Sequence, residues 1–274
     1  MLLLTMNNPV RLMMPGFDAR PLSKAEKMYA RDAGRVREIC KKIVRDRKAG
    51  KSKSKITEGQ DLLDMLLAEK SPFTDDEESI VSQLLDFFFA GTNTTSQTTQ
   101  MLILQMMRNK DISEKVDADF KKHIVDPYLA EEASDDEKSG KRPIDFDRAM
   151  TFERLFNLEY FKLLFDETLR WNPVTAFSSR GVVTEDTKLG NIQMKAGDVY
   201  HVSILGLHHN PEQWREPEKF VPERFDTSNK HWSLTPSGKK RSPMSYLPFF
   251  GGRRICFGKM FAEAAIRVNA LKLT

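Results

Sequence analysis

The stretch FFGGRRICFG, residues 249–258, decides how this chain of 274 residues is read. Glycines at 251, 252 and 258 flank a cysteine, Cys256, and the run that follows from Lys259 has the spacing of a helix still in progress at Thr274. Glycine lets a backbone approach a flat ligand closely, and the start of a helix favours negative charge. Cys256 is therefore placed as an anionic metal ligand or as a nucleophile. A Gly-Gly-Arg-Arg loop would also suit a phosphate. A nucleophilic cysteine would need a His-and-Asn/Asp partner set, and no such constellation is recognisable.

Outward from the loop, six of the thirteen prolines fall between Pro211 and Pro248, so residues from about 211 to 258 read as an ordered meander ending in the Cys256 loop. Before it, residues from about 174 to 207 are β-rich and broken at Gly181, Gly190-Asn191 and Ala196-Gly197, as expected for small antiparallel pairs. Residues from about 150 to 171, MTFERLFNLEYFKLLFDETLRW, are apolar on nearly every face and predict one buried helix that Asn172-Pro173 stops. Glu167 and Arg170 share a face of it at i and i+3, and two charges on such a helix need partners.

Further upstream, TDDEE provides a cap and an acidic first turn for a helix from about 75 to 108. At 1.5 Å per residue it is roughly 50 Å long, enough to cross a domain. Its middle reads AGTNTTS, residues 90–96, and Thr92 to Gln100 are nine consecutive polar residues, which exclude a membrane span. Glycine and hydroxyl residues loosen helical hydrogen bonding and open a groove. Ser23 to Arg47 predict a helix with a basic face, KAGKSKSK an exposed linker and DLLDMLLAEK a short amphipathic helix. Residues 120–142 read as irregular, with an acidic surface insertion.

With 43 basic and 39 acidic side chains the net charge is only +4, which gives no warrant for nucleic-acid binding. Two cysteines and five scattered histidines exclude a disulfide framework or a four-thiolate zinc site, and Cys40 in REICKKIV reads as a buried structural thiol. MLLLTMNNPV lacks the charged lead-in and long apolar run of a signal peptide.

FFGGRRICFG matches Phe-x-x-Gly-x-Arg-x-Cys-x-Gly, the haem-ligand signature of the cytochrome P450 family, at all five specified positions. Three further stretches resemble that family in its order. AGTNTTS resembles its Ala/Gly-Gly-x-Asp/Glu-Thr-Thr/Ser, Glu167 and Arg170 its Glu-x-x-Arg, and HHNPEQWREPEKFVPERF its meander. The resemblance implies a mainly α fold with small β-sheets (α+β), a partial cytochrome P450 domain over residues 1–274.

It also implies haem b (iron protoporphyrin IX) held through Cys256 as the iron's ligand. Phe249 would pack near the sulfur, Arg254 and Arg180 would pair with haem propionates, and Gly252 and Gly258 would allow close approach. Ala90 and Gly91 would open an oxygen-binding groove in which Thr94 guides protons to dioxygen. Asn93 stands where the family usually has an acid and cannot relay a proton by ionising. Glu167, Arg170 and Arg224 of PERF would form a structural triad that locks the meander, and Val174 to Ser178 would line the substrate pocket. The implied activity is insertion of one atom of O₂ into a small apolar organic substrate, with electrons from an NADPH-dependent reductase or another donor. Alternatives are a peroxide-isomerising or dehydrating relative and a non-catalytic haem-binding or interaction remnant.

A complete member of the family has about as much chain again before this segment, so the resemblance places the chain as a C-terminal half whose last helix is cut short. It leaves localisation open, because full-length relatives are often anchored in the endoplasmic reticulum membrane and no anchor is seen here.

Overall fold

The computed structural model describes residues 23–53, 60–69, 76–135, 143–178 and 181–273. They fall into two compact units that divide at Ala90 and Gly91, inside a single long helix.

In the first unit, α1 (Lys24–Lys48) begins with a capping box. The Ser23 hydroxyl accepts the Glu26 N–H at 3.1 Å and the Glu26 carboxylate accepts the Ser23 N–H at 2.9 Å. Helix α2 (Leu62–Ala68) and the first turns of α3 (Glu77–Arg108) share an apolar seam with α1, built from Cys40, Val44, Leu63, Ile80, Val81 and Leu84. Cys40 is 1% exposed and burial pushes its thiol pKa up, as suits an inert apolar filler. The basic face of α1 meets the acidic start of α3, with Arg45 2.8 Å from Glu77 and Lys41 3.3 Å from Glu78. Exposed pairs of this kind contribute about 0–1 kcal/mol each, so the apolar seam dominates.

In the second unit, α4 (Lys110–Phe120) runs into a π-turn, Lys121–Val125, and then α5 (Asp126–Asp135). The irregular reading of residues 120–142 is thus corrected as far as Asp135, and residues 136–142 lie outside the described ones. Ile124 and Tyr128, four residues apart, are buried on one face and hold the helix down. The widened turn sits just before Pro127, which has no N–H to donate and whose ring would press on a carbonyl four residues back.

The single helix expected over 150–171 is two, α7 (Phe152–Phe156) after the short α6 (Phe146–Ala149), and then α8 (Glu159–Trp171). The break is set from a distance. Buried Asp119, at the end of α4, accepts the Glu159 N–H at 3.2 Å and the Phe161 N–H at 3.0 Å, and so caps α8 at its start. Asp119→Ala should lower stability by about 2 kcal/mol, because the cap is lost and two N–H groups are stranded. A urea midpoint that moves with an unchanged slope would register it.

Helix α8 lies at the centre of the main core, with Phe161, Leu164 and Phe165 packed among Leu102 and Met106 of α3 and Ile266 and Ala270 of the last helix. Two antiparallel pairs follow, β1 (Gly181–Val182) with β4 (Val199–Tyr200), and β2 (Thr187–Leu189) with β3 (Ile192–Met194). Gly190 and Gly197 sit at positive φ in the turns between them. Gly181 is a strand position rather than a break, where an added Cβ would run into the ring of Tyr200. Helix α9 (Ile204–His208), the 3₁₀ turn Pro222–Phe225 and α10 (Lys230–Ser233) carry the chain through the meander to α11 (Lys259–Leu273). Among the described residues no helix is long and apolar enough to cross a membrane.

Candidate functional site

Cys256 is exposed, on a loop that its own backbone closes. Its N–H donates to the Phe249 carbonyl at 2.9 Å, while Phe250 N–H donates to Leu247 O at 3.1 Å and Ile255 N–H to Gly252 O at 3.3 Å. Two left-handed residues make the corners, Gly252 at φ +68° and Phe250 at φ 60°. For phenylalanine that conformation costs about 1 kcal/mol or more, held by the surrounding bonds. Phe249 faces inward, its ring 6.5 Å from that of Phe165. A Cβ at Gly258 would stand 3.8 Å from the Cys256 sulfur, in ordinary contact. Near Cys256 in the sequence, Ile255, Phe257, Met260 and Phe261 carry exposed apolar side chains, Phe257 at 74%. Arg254 is also exposed and makes no ion pair with a described residue. A recess of about 150 Å³ between the loop and α8, lined by Phe249, Phe250, Ile255 and Asp166 among others, is below the roughly 300–1,000 Å³ of cofactor pockets.

Glu167, Arg170 and Arg224 come together with their side chains fully buried. Arg170 reaches both carboxylate oxygens of Glu167, at 2.7 and 2.8 Å, in the forked geometry of a strong pair. Arg224 Nε lies 3.3 Å from Glu167 Oε1, which also accepts the Val221 N–H at 2.8 Å. The remaining guanidinium hydrogens go to meander carbonyls. Arg170 donates to Pro217 O at 2.9 Å and Lys219 O at 3.1 Å, and Arg224 to Glu216 O at 2.7 Å.

A third arginine, Arg241, was not apparent in the sequence. It donates to Trp232 O at 2.8 Å and to Arg224 O, and lies 4.4 Å over the Trp214 ring. Burial brings its pKa down to about 10, with Arg224 adding to the effect.

On α3 the polar run folds its hydroxyls back on the helix. Ser96 donates to Thr92 O at 2.8 Å, Thr98 to Thr94 O at 3.0 Å and Thr99 to Thr95 O at 2.9 Å. Asn93 and Thr94 are exposed, and the Asn93 side-chain oxygen accepts from Gln97 at 3.3 Å. The Thr95 hydroxyl oxygen is buried with no hydrogen-bond partner among the described residues. Gly91 is half-buried on the same helix, Ala90 belongs to the other unit, and Arg180 lies outside the described residues. The structure thus gathers the Cys256 loop and the Glu167 cluster as two sets, with Asn93 and Thr94 as a third on α3.

The family model "Cytochrome P450" matches residues 2–271. A "9-beta-pimara-7,15-diene oxidase" of Oryza sativa subsp. japonica is 31% identical over 78% of this chain and 38% of its own length. "Cytochrome P450 CYP82J17" of Trigonella foenum-graecum is 28% identical over 94% of this chain and 45% of its own. The chain thus spans less than half the length of these curated relatives. Among solved structures, a cytochrome P450 (CYP102L1) superposes with a TM-score of 0.70 at 23% identity, over 94% of this chain and 53% of that one. The cytochrome P450DA heme domain gives 0.68 at 22% identity, over 92% and 48%. With the family model running through the Cys256 loop, the Glu167 helix and the long α3, this chain belongs to the cytochrome P450 family.

Proposed function

We propose that the chain carries the haem-binding and oxygen-activating part of a monooxygenase that inserts one atom of O₂ into an apolar organic substrate, with electrons from a reductase. The observation that carries this reading is the exposed Cys256 thiol, on a loop closed by the Phe249 carbonyl and flanked in sequence by the exposed apolar side chains of Ile255 and Phe257. These residues fit a flat apolar macrocycle. A single sulfur stands free to ligate, Phe257 and Ile255 offer apolar surface to cover, and Arg254 is free for an anionic edge. Haem held by a cysteine thiolate supplies oxygen activation, because the sulfur's electron donation favours O–O cleavage.

The chain's own residues do the rest. Cys256 would hold the iron, the loop's hydrogen bonds fix where the sulfur points, Gly252 takes the left-handed corner and Gly258 keeps a side chain off the sulfur. Arg254 binds a propionate. The Glu167, Arg170 and Arg224 cluster holds the meander that leads into the loop. On α3, the Thr94 hydroxyl would hold and pass a proton to the reacting oxygen, with Gly91 leaving room beside it. Asn93 can hydrogen-bond water but supplies no proton by ionising.

Haem titration followed by turnover with a reductase and NADPH tests the reading. A haem complex that forms product supports it, and one that never does reduces the chain to a haem-binding module. Thr94→Ala should keep haem and still oxidise NADPH, but product per NADPH should fall by about tenfold or more, within what positioned proton transfer contributes. The missing electrons should appear as hydrogen peroxide. An unchanged product yield would remove Thr94 from this role.

A further inference from the structure

The ligand loop is tied to α8 through one side chain that the reading above leaves without a task, His208 at the end of α9. It is fully buried. Leu247, two residues before Phe249, donates its backbone N–H to His208 Nε2 at 2.9 Å. A backbone N–H can only donate, so Nε2 is the bare nitrogen and Nδ1 carries the proton. That proton is given to the Leu169 carbonyl, 3.2 Å away near the end of α8. The backbone of the same residue is used as well, since the His208 carbonyl accepts from Arg170 at 3.0 Å.

A second tie runs alongside. The Tyr246 ring stands 5.1 Å from the His208 ring, and its hydroxyl donates to the Asp166 carbonyl at 2.9 Å and lies 3.0 Å from the Asp166 carboxylate. An unbroken path therefore runs from the Glu167–Arg170 pair through His208 to Leu247, whose carbonyl accepts Phe250 N–H, and on to the Phe249 carbonyl that accepts Cys256 N–H.

We infer that His208 is a positioning residue for Cys256, a neutral imidazole whose acceptor nitrogen sets where the ligand loop starts. The inference rests on Cys256 being the haem ligand, but the hydrogen-bond path is a property of the chain itself. Only the neutral ring serves, because an imidazolium would turn a second N–H toward that of Leu247. The surroundings keep it neutral. Burial pushes the His208 pKa down to about 4 against the pull of the Leu169 carbonyl, and the nearby charges of Arg170 and His209 push the same way. Tyr246 on the facing segment stays protonated, its pKa raised by burial and by Asp166, so it brings no negative charge. Glu167 is taken up by Arg170 and Arg224.

The test compares His208→Leu, which has no polar atom, with His208→Gln, whose amide oxygen can still accept from Leu247. Amide hydrogen exchange is followed across the full chain, and the reduced, carbon-monoxide-treated haem complex is scored for its thiolate and thiol Soret bands. His208→Leu should speed exchange at residues 246–250 and at Cys256 about tenfold, as expected when a buried donor loses its partner, while the centre of α8 keeps its protection. It should also convert part of the thiolate band to the thiol band. His208→Gln should restore both readouts. If His208→Leu does not fold, the glutamine variant decides alone, and faster exchange at 246–250 there overturns the inference. So does a folded leucine variant with unchanged loop exchange, or one that loosens α8 and the loop equally. Absence of a thiolate band in the unmutated chain would instead overturn the Cys256 assignment and leave the exchange arm standing.

Discussion

Cys256→Ala should abolish the thiolate Soret band of the reduced, carbon-monoxide-treated haem complex and leave the fold as it was. The two halves of that expectation come from different parts of the geometry. The cysteine side chain is exposed, and the bond that closes the loop runs from its backbone N–H to the Phe249 carbonyl, so alanine keeps it. Substitutions at such positions change stability by within about 0.5 kcal/mol. The sulfur, by contrast, is the proposed bond to iron. Outer partners of a metal ligand are worth about 10–100-fold in affinity, so loss of the ligand itself should weaken haem binding by more than about a hundredfold. Spectra and a thermal melt of the two proteins, taken together, check it. A thiolate band that survives in the alanine variant would end the assignment, and Cys40, buried in the other unit's seam, is no candidate to replace it.

The turn of the Cys256 loop was legible because its requirements are local. Glycines at fixed offsets describe a backbone that must turn sharply, whatever the rest of the chain does, and a haem beside it was implied only by the family pattern. Even so, the sharpest corner escaped the reading, since Phe250 adopts a left-handed conformation that no residue type announces. Glu167 and Arg170 could be paired from sequence because charges on an apolar helix demand neighbours, and the PERF arginine completed the set only through the family pattern.

What stayed hidden depends on partners far along the chain. Arg241 is held by the Trp232 carbonyl and the face of Trp214, neither of which is visible in the neighbourhood of SGKKRSP. His208 reads as one of two histidines in a loop, and its role rests on the N–H of Leu247. The split of the 150–171 helix is decided by Asp119, forty residues before Glu159, so apolar periodicity ran straight through it. In the same way the polar residues after Phe120 concealed a helix whose buried face is only every fourth residue, Ile124 and then Tyr128.

Glu167→Ala should be the most destabilising single change in the chain, by about 3–5 kcal/mol, because it strands two buried guanidinium groups. The carboxylate is the only anion in contact with Arg170 and Arg224 among the described residues, and Arg241 adds a third positive charge nearby. Burial already pushes the Arg224 pKa down against the support of Glu167. Once that support is gone, the arginines are left with carbonyl dipoles and the faces of Trp214 and Trp232. Against a total of about 5–15 kcal/mol for a domain, such a loss removes about a fifth of the stability or more. Arg170→Lys should also be costly, since an ammonium cannot span both carboxylate oxygens as the fork does at 2.7 and 2.8 Å. Urea unfolding of the two variants beside Cys256→Ala separates stability from ligation. The Glu167 and Arg170 variants should shift the midpoint and bind less haem, yet show a thiolate band of normal position for whatever haem they hold, whereas Cys256→Ala should keep the midpoint and lose the thiolate band. A Glu167→Ala protein that unfolds at the unmutated midpoint would mean the cluster contributes nothing to holding the meander, and the path from α8 to the sulfur would have to be sought elsewhere.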